Sequence, residues 1–269
     1  MSKQQFDLPT KFMSARKDGA IGRMVFNNPA RHNAVKLEMW QAIPVILDLF
    51  EADDDIKVIV LAGAGARAFV SGADISEFEQ VRSTPATYKN YENVADNATD
   101  RISDSTKPTL AMIQGYCLGG GMGIAIACDL RFASTDSRFG IPAARLGVGY
   151  RAGGIAKVLD LIGPSFTKEI FFTARQFSAE EALQMGLINR IVEREALAAA
   201  VGDYCDTIAA NAPLSIKAVK EIIRELTRRD AGPDWNYCEN LVEQCFASDD
   251  YIEGRRAFME KRPAVFKGK

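Results

Sequence analysis

Two stretches of small residues are the part of this sequence best suited to chemistry. The first, Ile113-Gln114-Gly115-Tyr116-Cys117-Leu118-Gly119-Gly120-Gly121-Met122-Gly123, places glycines where an apolar strand gives way to an apolar helix. Glycine lets backbone approach closely and leaves N–H groups at a helix N-terminus facing an anion, an oxyanion included. The same spacing also suits a helix entry packed tightly on a strand. A dinucleotide fingerprint on Gly119 and Gly121 would need glycine at position 124, where Ile124 stands, and no Gly-Lys-Ser/Thr follows for a phosphate loop. The second stretch, Ala68-Phe69-Val70-Ser71-Gly72-Ala73-Asp74-Ile75, again ends in small residues that leave N–H groups accessible. Asp74 there also reads as an ordinary helix cap. His32 is the single histidine in the chain, which argues against a His-rich metal site and leaves any His-dependent triad resting on that residue.

These stretches need elements to hold them. Phe12 to Lys17, a turn at Asp18-Gly19 and the apolar run Ile21 to Phe26 predict a hairpin, ended by Asn27-Asn28-Pro29. Leu37 to Phe50 has helical spacing, and Asp53-Asp54-Asp55 separates it from a strand at Ile56 to Leu61. Pro108 to Gln114 predicts a buried strand, the glycine cluster opens a helix to Cys128, and Asp129 to Ala133 returns as a strand. Ser178-Ala179-Glu180-Glu181 is a capping box that starts a helix. The alternation predicts an α/β layered core. After about Glu193 only helical periodicity remains, so residues 1–199 form the core and residues 200–269 a helical region. Its apolar stripe, Ile208, Leu214, Ile216, Val219, Ile222, Ile223 and Leu226, must bury against its own core or a neighbouring subunit.

The 269 residues are 47% hydrophobic and 25% charged, enough to bury a full core. A formal net charge of −2 gives no global basic field for nucleic acid. Neither the start, Met1 to Phe6, nor any later run has the apolar length of a secretory leader or membrane span, so no membrane partner and a cytoplasmic location are expected. The five cysteines are widely spaced and read as reduced thiols.

Taken together, the two small-residue segments resemble the crotonase superfamily, the enoyl-CoA hydratase/isomerase family, and the likeness runs over nearly the whole chain from about residue 10. Asn28-Pro29 with Arg31-His32-Asn33-Ala34, Lys107-Pro108, Cys128-Asp129, Phe139-Gly140-Ile141-Pro142, Gly153-Gly154 and the tail Phe258-Met259-Glu260-Lys261-Arg262 add to it. The resemblance implies a spiral of repeated β-β-α units, a C-terminal helical region that helps form a homotrimer or a dimer of trimers, and an acyl-CoA substrate. No permanently bound cofactor or metal is implied, because coenzyme A arrives as part of the substrate. The resemblance also implies that the N–H groups of Ala73 and Gly120 stabilise charge on the thioester oxygen. Arg31 is then placed to meet a coenzyme phosphate and His32 at the coenzyme's edge, Asp74 contacts substrate, and Phe258 and Lys261 meet the nucleotide end or belong to a plain surface helix.

Hydratases of this family work with two glutamates, and the matching positions hold Gly123 and Ala143, neither of which can transfer a proton. Leu146-Gly147-Val148-Gly149-Tyr150 resembles the segment that carries an active-site tyrosine in the family's methylmalonyl-CoA decarboxylases, although those place a histidine where Ala73 stands. Tyr150 is thus either a substrate-contacting proton donor or a packed structural tyrosine. Arg145 and Arg151 suit a second substrate carboxylate or a solvated face. Asp74, Glu77, Glu92, Asp96 and Asp100 could supply a replacement carboxylate or lie on a solvated helix face, and Tyr88 and Tyr91 carry the same two readings. The expected activity is a lyase or isomerase working through a thioester enolate, with decarboxylation of a malonyl-type thioester as the specific reaction. Hydration or isomerisation with a non-standard acid/base group, and acyl-CoA binding without catalysis, are the alternatives.

Overall fold

The computed structural model describes residues 3–78, 83–229 and 231–269; Met1 and Ser2, which open the leaderless start expected above, lie outside them. The expected hairpin forms as β2 (Met13–Asp18) and β3 (Ile21–Phe26), and β1 (Lys3–Phe6) joins β2 antiparallel. Then comes α1 (Leu37–Glu51), which buries Met39, Trp40, Ile43, Leu47 and Phe50 along one side. The next strand, β4 (Val58–Gly63), starts two residues later than its apolar run suggests. Asp53 is the reason: its carbonyl accepts from Ile56 N–H and its Oδ1 from Asp55 N–H, each at 3.0 Å, which holds the chain in a turn.

From β4 onward one unit repeats, made of a strand, a short second strand and a helix. β4 leads to β5 (Ala68–Val70) and α2 (Pro85–Ser103). β6 (Thr109–Ile113) leads to β7 (Tyr116–Leu118) and α3 (Gly120–Ala127). β8 (Leu130–Ser134) leads to β9 (Arg138–Gly140) and α4 (Ala152–Thr173), whose helical path breaks at Gly163. β10 (Phe177–Ser178), α5 (Ala179–Gln184) and β11 (Arg190–Val192) complete the core, and Ser178 and Glu181 cap α5 reciprocally as expected. The first strand of each unit joins a seven-stranded sheet in the order β1-β2-β3-β4-β6-β8-β11, and the second joins a four-stranded sheet, β10-β9-β7-β5. Pairing is parallel from β3 to β11 in the large sheet and from β5 to β9 in the small one. This is the expected β-β-α spiral.

Side-chain alternation divides the large sheet between two cores. Ile59 and Leu61 face the main core with Phe26, Phe69 and Phe139. Val58 and Val60 point the other way, against Leu197, Val201 and Cys205 of α6 (Leu197–Ala209). The small sheet therefore lies on the main-core side, and the strand ends that carry the two small-residue segments converge there.

Three helices follow: α7 (Pro213–Leu226), α8 (Trp235–Phe246) and α9 (Asp249–Glu260). The chain's own core does not take up the whole apolar stripe, because Val219, Ile223 and Leu226 are 58%, 56% and 52% exposed. The inward face of α7 carries Ala218, Glu221 and Glu225 instead, with Glu221 accepting from Arg224 and Tyr237 and Glu225 from Arg228 and the Asp234 N–H. No helix among the described residues is long and apolar enough to cross a membrane.

The C-terminal segment is tied back to α9 by two carboxylates. Asp250 accepts the N–H groups of Lys267 and Gly268 at 2.6 and 2.7 Å, and Glu253 accepts Arg262 at 2.6 and 2.9 Å and Val265 N–H at 3.0 Å. Hydrogen bonding from Arg262, then from Val265 N–H, lowers the Glu253 carboxyl from its ordinary 4.5 to about 2. A depressed folded-state pKa contributes stability that is present above about 4.5 and lost as pH falls through about 2. The protection factor of the Val265 amide, its exchange relative to the intrinsic rate at the same pH, is therefore expected to fall several-fold across that window. Glu253→Gln should produce the same loss of protection at neutral pH.

Candidate active site

The first small-residue segment leaves β5 and runs through Ser71, Gly72 and Ala73. Val35 N–H donates to the Gly72 carbonyl at 2.8 Å, and Asp74 N–H donates to the Val35 carbonyl at 2.9 Å. Successive peptide groups of extended chain point to opposite sides, so the N–H of Ala73 faces away from Val35, toward the start of α3. There Gly119 adopts φ 51° and ψ −115°, a conformation that a side chain would oppose, and its N–H is held by the Gly140 carbonyl at 2.8 Å. Gly120 is the first residue of α3, so its N–H has no acceptor within the helix. A Cβ built on Gly120 would lie 3.8 Å from the Ala73 nitrogen. The two residues therefore adjoin, and among the described residues neither N–H is donated to another group of the protein.

Both border a cavity of about 300 Å³. Trp40 of α1, Glu92 and Asp96 of α2, Gly123 of α3, Ala143 and Tyr150 also line it. A Cβ at Gly123 would meet nothing within 4 Å, so this position opens straight into the space. Ala143 is nearly buried at its edge. Tyr150 stands just before α4, its ring edge-on to Phe171 with centroids 5.0 Å apart. Gly154 seats that ring, because a Cβ there would come within 2.8 Å of Cε1. Burial, and after it the charges of Glu92 and Asp96, push the phenol up to about 12. Tyr150 consequently keeps its proton at neutral pH and is a donor, not a base.

The carboxylates of α2 form a stripe four residues apart on this wall: Glu92, Asp96 and Asp100 all line the cavity. Arg151 binds Asp96 at 2.6 Å and Asn93 at 3.1 Å, and Lys157 binds Asp100 at 2.8 Å. Arg151 thus lines the cavity while already paired with α2, whereas Arg145 is exposed and off its wall. Glu77 turns away from the cavity to accept Leu37 N–H at 3.0 Å and to pair with Lys36. Tyr91 accepts a buried hydrogen bond from Trp40, and Tyr88 is 37% exposed.

The structure brings Ala73, Gly120 and Tyr150 onto one cavity with Glu92, Asp96, Asp100 and Arg151, and leaves Arg31, His32, Asp74, Phe258 and Lys261 off its wall. Asp74 is 3% exposed and caps the turn Ile75–Glu77, its Oδ1 accepting Ser76 N–H at 3.1 Å and Ser76 Oγ–H at 2.7 Å. Arg31 lies 3.9 Å from the same oxygen with its side chain 59% exposed. His32 stacks on Tyr116, centroids 6.0 Å apart, while its carbonyl accepts Ser71 N–H at 3.1 Å. These three therefore brace the outer side of the Ser71–Ala73 segment. Phe258 on α9 is 82% exposed, and Lys261, just past it, is exposed with φ 54°; neither lines the cavity. Trp40 is the wall residue that its place in a helical apolar stripe concealed. Among the described residues no group of three His, Cys, Asp or Glu side chains could hold a metal ion.

Residues 16–269 match the family model described as enoyl-CoA hydratase/isomerase. The chain belongs to that family. It is 31% identical over 246 residues to the short-chain-enoyl-CoA hydratase of Clostridium acetobutylicum, covering 91% of this chain and 94% of the relative. It is 29% identical to the carnitinyl-CoA dehydratase of Salmonella enteritidis, with 94% and 97% covered. A solved enoyl-CoA hydratase/carnithine racemase structure from Magnetospirillum magneticum superposes with a TM-score of 0.93 at 33% identity, covering 97% of each chain. This family member is thus an acyl-CoA enzyme with the crotonase fold, and the two positions that the resemblance gives to glutamates in hydratases, 123 and 143, both face its cavity.

Proposed function

We propose that this enzyme forms a thioester enolate between the N–H groups of Ala73 and Gly120, and that the enolate arises by decarboxylation of a malonyl-type CoA thioester. The supporting observation is that Gly123 and Ala143 put no carboxylate at the two cavity positions that hydratases give to glutamates, while Tyr150, still protonated, stands on the same wall. In this reading the bond between Cα and the carboxylate breaks, its electron pair enters the enolate, and carbon dioxide leaves. The two N–H groups hold the oxyanion. The Tyr150 hydroxyl then delivers a proton to Cα and recovers one from solvent. No base has to remove a carbon-bound proton. Arg151, on the same wall, supplies a positive partner for the departing carboxylate.

A second reading is favoured by the α2 stripe. Glu92 and Asp96 face the cavity on the side of Tyr150, where a carboxylate could do the proton work of an isomerase or hydratase. Incubation with methylmalonyl-CoA, crotonyl-CoA and a 3-enoyl-CoA, with products followed by mass spectrometry, separates the two. Carbon dioxide release that falls about 10²-fold in Tyr150→Phe, with KM little changed, is the expected result. Water addition indifferent to Tyr150→Phe would overturn the decarboxylase reading, and a shift of double bonds abolished by Glu92→Gln would establish the second one. Tight binding of all three substrates without turnover would leave acyl-CoA binding as the function.

We further propose that residues 200–269 form a trimerisation region, supported by the exposed Val219, Ile223 and Leu226 of α7. In such a trimer Phe258 and Lys261, off the cavity of their own chain, would reach the coenzyme of a neighbouring one.

A further inference from the structure

Beneath the two N–H groups lies a side-chain pair that the enolate chemistry does not itself use. Trp40 and Tyr91 are 3% and 2% exposed, both line the cavity, and the indole Nε1–H donates to the Tyr91 hydroxyl oxygen at 2.8 Å across 51 residues of sequence. A Cβ on Gly120 would fall 3.1 Å from Trp40 Cζ2, 3.5 Å from its Cη2 and 3.8 Å from the Ala73 nitrogen. The indole edge, the first residue of α3 and the Ala73 N–H therefore meet at one point. Trp40 is itself fixed from the oxyanion side. The residues leading into its helix bind that loop through Val35 N–H to the Gly72 carbonyl at 2.8 Å and Leu37 N–H to Glu77 Oε2 at 3.0 Å. Tyr91 belongs to α2, one residue before Glu92 on the acyl wall.

We infer that Trp40 and Tyr91 are positioning residues: the indole edge is a backstop that keeps the Gly120 N–H in register with that of Ala73, and the Tyr91 hydroxyl keeps the indole in place. The pair joins α2 to the oxyanion donors, so a change in the acyl wall is transmitted to them. A bifurcated donor site loses its purpose when one donor drifts, and a misplacement of about 1 Å can cost about 10²-fold in rate.

This rests on the reading of Ala73 and Gly120 as oxyanion donors, and the test keeps the two apart. Acetoacetyl-CoA is titrated into the enzyme and its enolate, which absorbs in the near ultraviolet, is quantified per bound ligand alongside kcat, KM and thermal stability. Tyr91→Phe is expected to lower the bound enolate fraction and kcat about tenfold with KM nearly unchanged, and Trp40→Phe to lower both about 10²-fold. Adding Tyr91→Phe to Trp40→Phe should cause no further loss, because Tyr91 acts through the indole. A purely structural role would lower the melting temperature and leave the enolate fraction of the folded enzyme intact, which overturns the inference. Should Trp40→Phe fail to fold, Tyr91→Phe alone decides. If the unaltered enzyme binds acetoacetyl-CoA without forming its enolate, the oxyanion reading falls and this inference with it. If the unaltered enzyme forms the enolate and Tyr91→Phe matches it, only this inference falls.

Discussion

The double substitution Gly123→Glu, Ala143→Glu is expected to raise water addition to crotonyl-CoA by about 10²–10⁴-fold, the usual contribution of a positioned acid/base group. Space permits it. A Cβ at Gly123 touches nothing within 4 Å, and position 143 lies on the same cavity of about 300 Å³. The N–H groups of Ala73 and Gly120, proposed above as the oxyanion donors, already border the cavity for the new chemistry. One glutamate would activate water and the other would protonate the enolate carbon, so each single substitution should gain far less than the pair. The same change should depress carbon dioxide release from methylmalonyl-CoA, because two added carboxylates repel the substrate's own and remove the room beside it. Following both reactions in one preparation makes the exchange visible. A correctly folded double variant that gains no hydration would show that something other than these two positions withholds it, with the α2 carboxylates beside Tyr150 the first place to look.

The alternation of strands and helices was legible because its units obey local rules, while the spiral was what the family resemblance implied. The hairpin before Asn27, the helix from Leu37 and the Ser178/Glu181 capping box formed where periodicity and turn chemistry put them. β4 slipped by two residues because Asp53 binds two downstream N–H groups, a choice that hydrophobicity does not register. Glycine and small-residue spacing left an N–H donor site and a tightly packed helix entry as alternatives, and the resemblance pointed to Ala73 and Gly120 as donors; the convergence of the two segments depends on Gly121 packing against β5, a contact across the chain. Asp74 could not be assigned from its neighbours: the sequence allows a ligand contact or a cap, and the Ser76 hydrogen bonds make it a cap. Phe258 and Lys261, which the resemblance places at the nucleotide end of the coenzyme, lie off the cavity of their own chain, and a single chain's pattern carries no information about contacts between copies. Trp40 was hidden by its own helix. A tryptophan in an apolar stripe reads as core, and only the fold reveals that its inner edge abuts Gly120 at the cavity.

Gly121→Ala should cost about 10²–10³-fold in turnover, whereas Gly123→Ala, two residues along the same helix, should leave turnover within a few-fold of the original. The contrast comes from what a methyl group meets. At position 121 it would lie 2.1 Å from the Val70 carbonyl oxygen and 2.9 Å from both the Val70 carbonyl carbon and Cβ. The first two are backbone atoms of β5, the strand that delivers Ser71, Gly72 and Ala73, and the Cβ is fixed directly to that backbone, so no flexible side-chain end can yield. Either α3 or β5 must retreat; the N–H of Gly120 is on α3, and that of Ala73 is on the segment that leaves β5 after Val70. Their separation opens, and the oxyanion loses one of its donors while the cavity and the coenzyme's binding surface persist. At position 123 the methyl enters open space, and replacing glycine inside a helix adds roughly 0.5–1 kcal/mol of stability. The pair of variants thus isolates geometry from helix propensity: kcat should collapse in the first with KM nearly held, and thermal stability should rise in the second. If both variants turn over equally well, the close packing of α3 on β5 is not what brings the two donors together, and the oxyanion site must be held by some other contact.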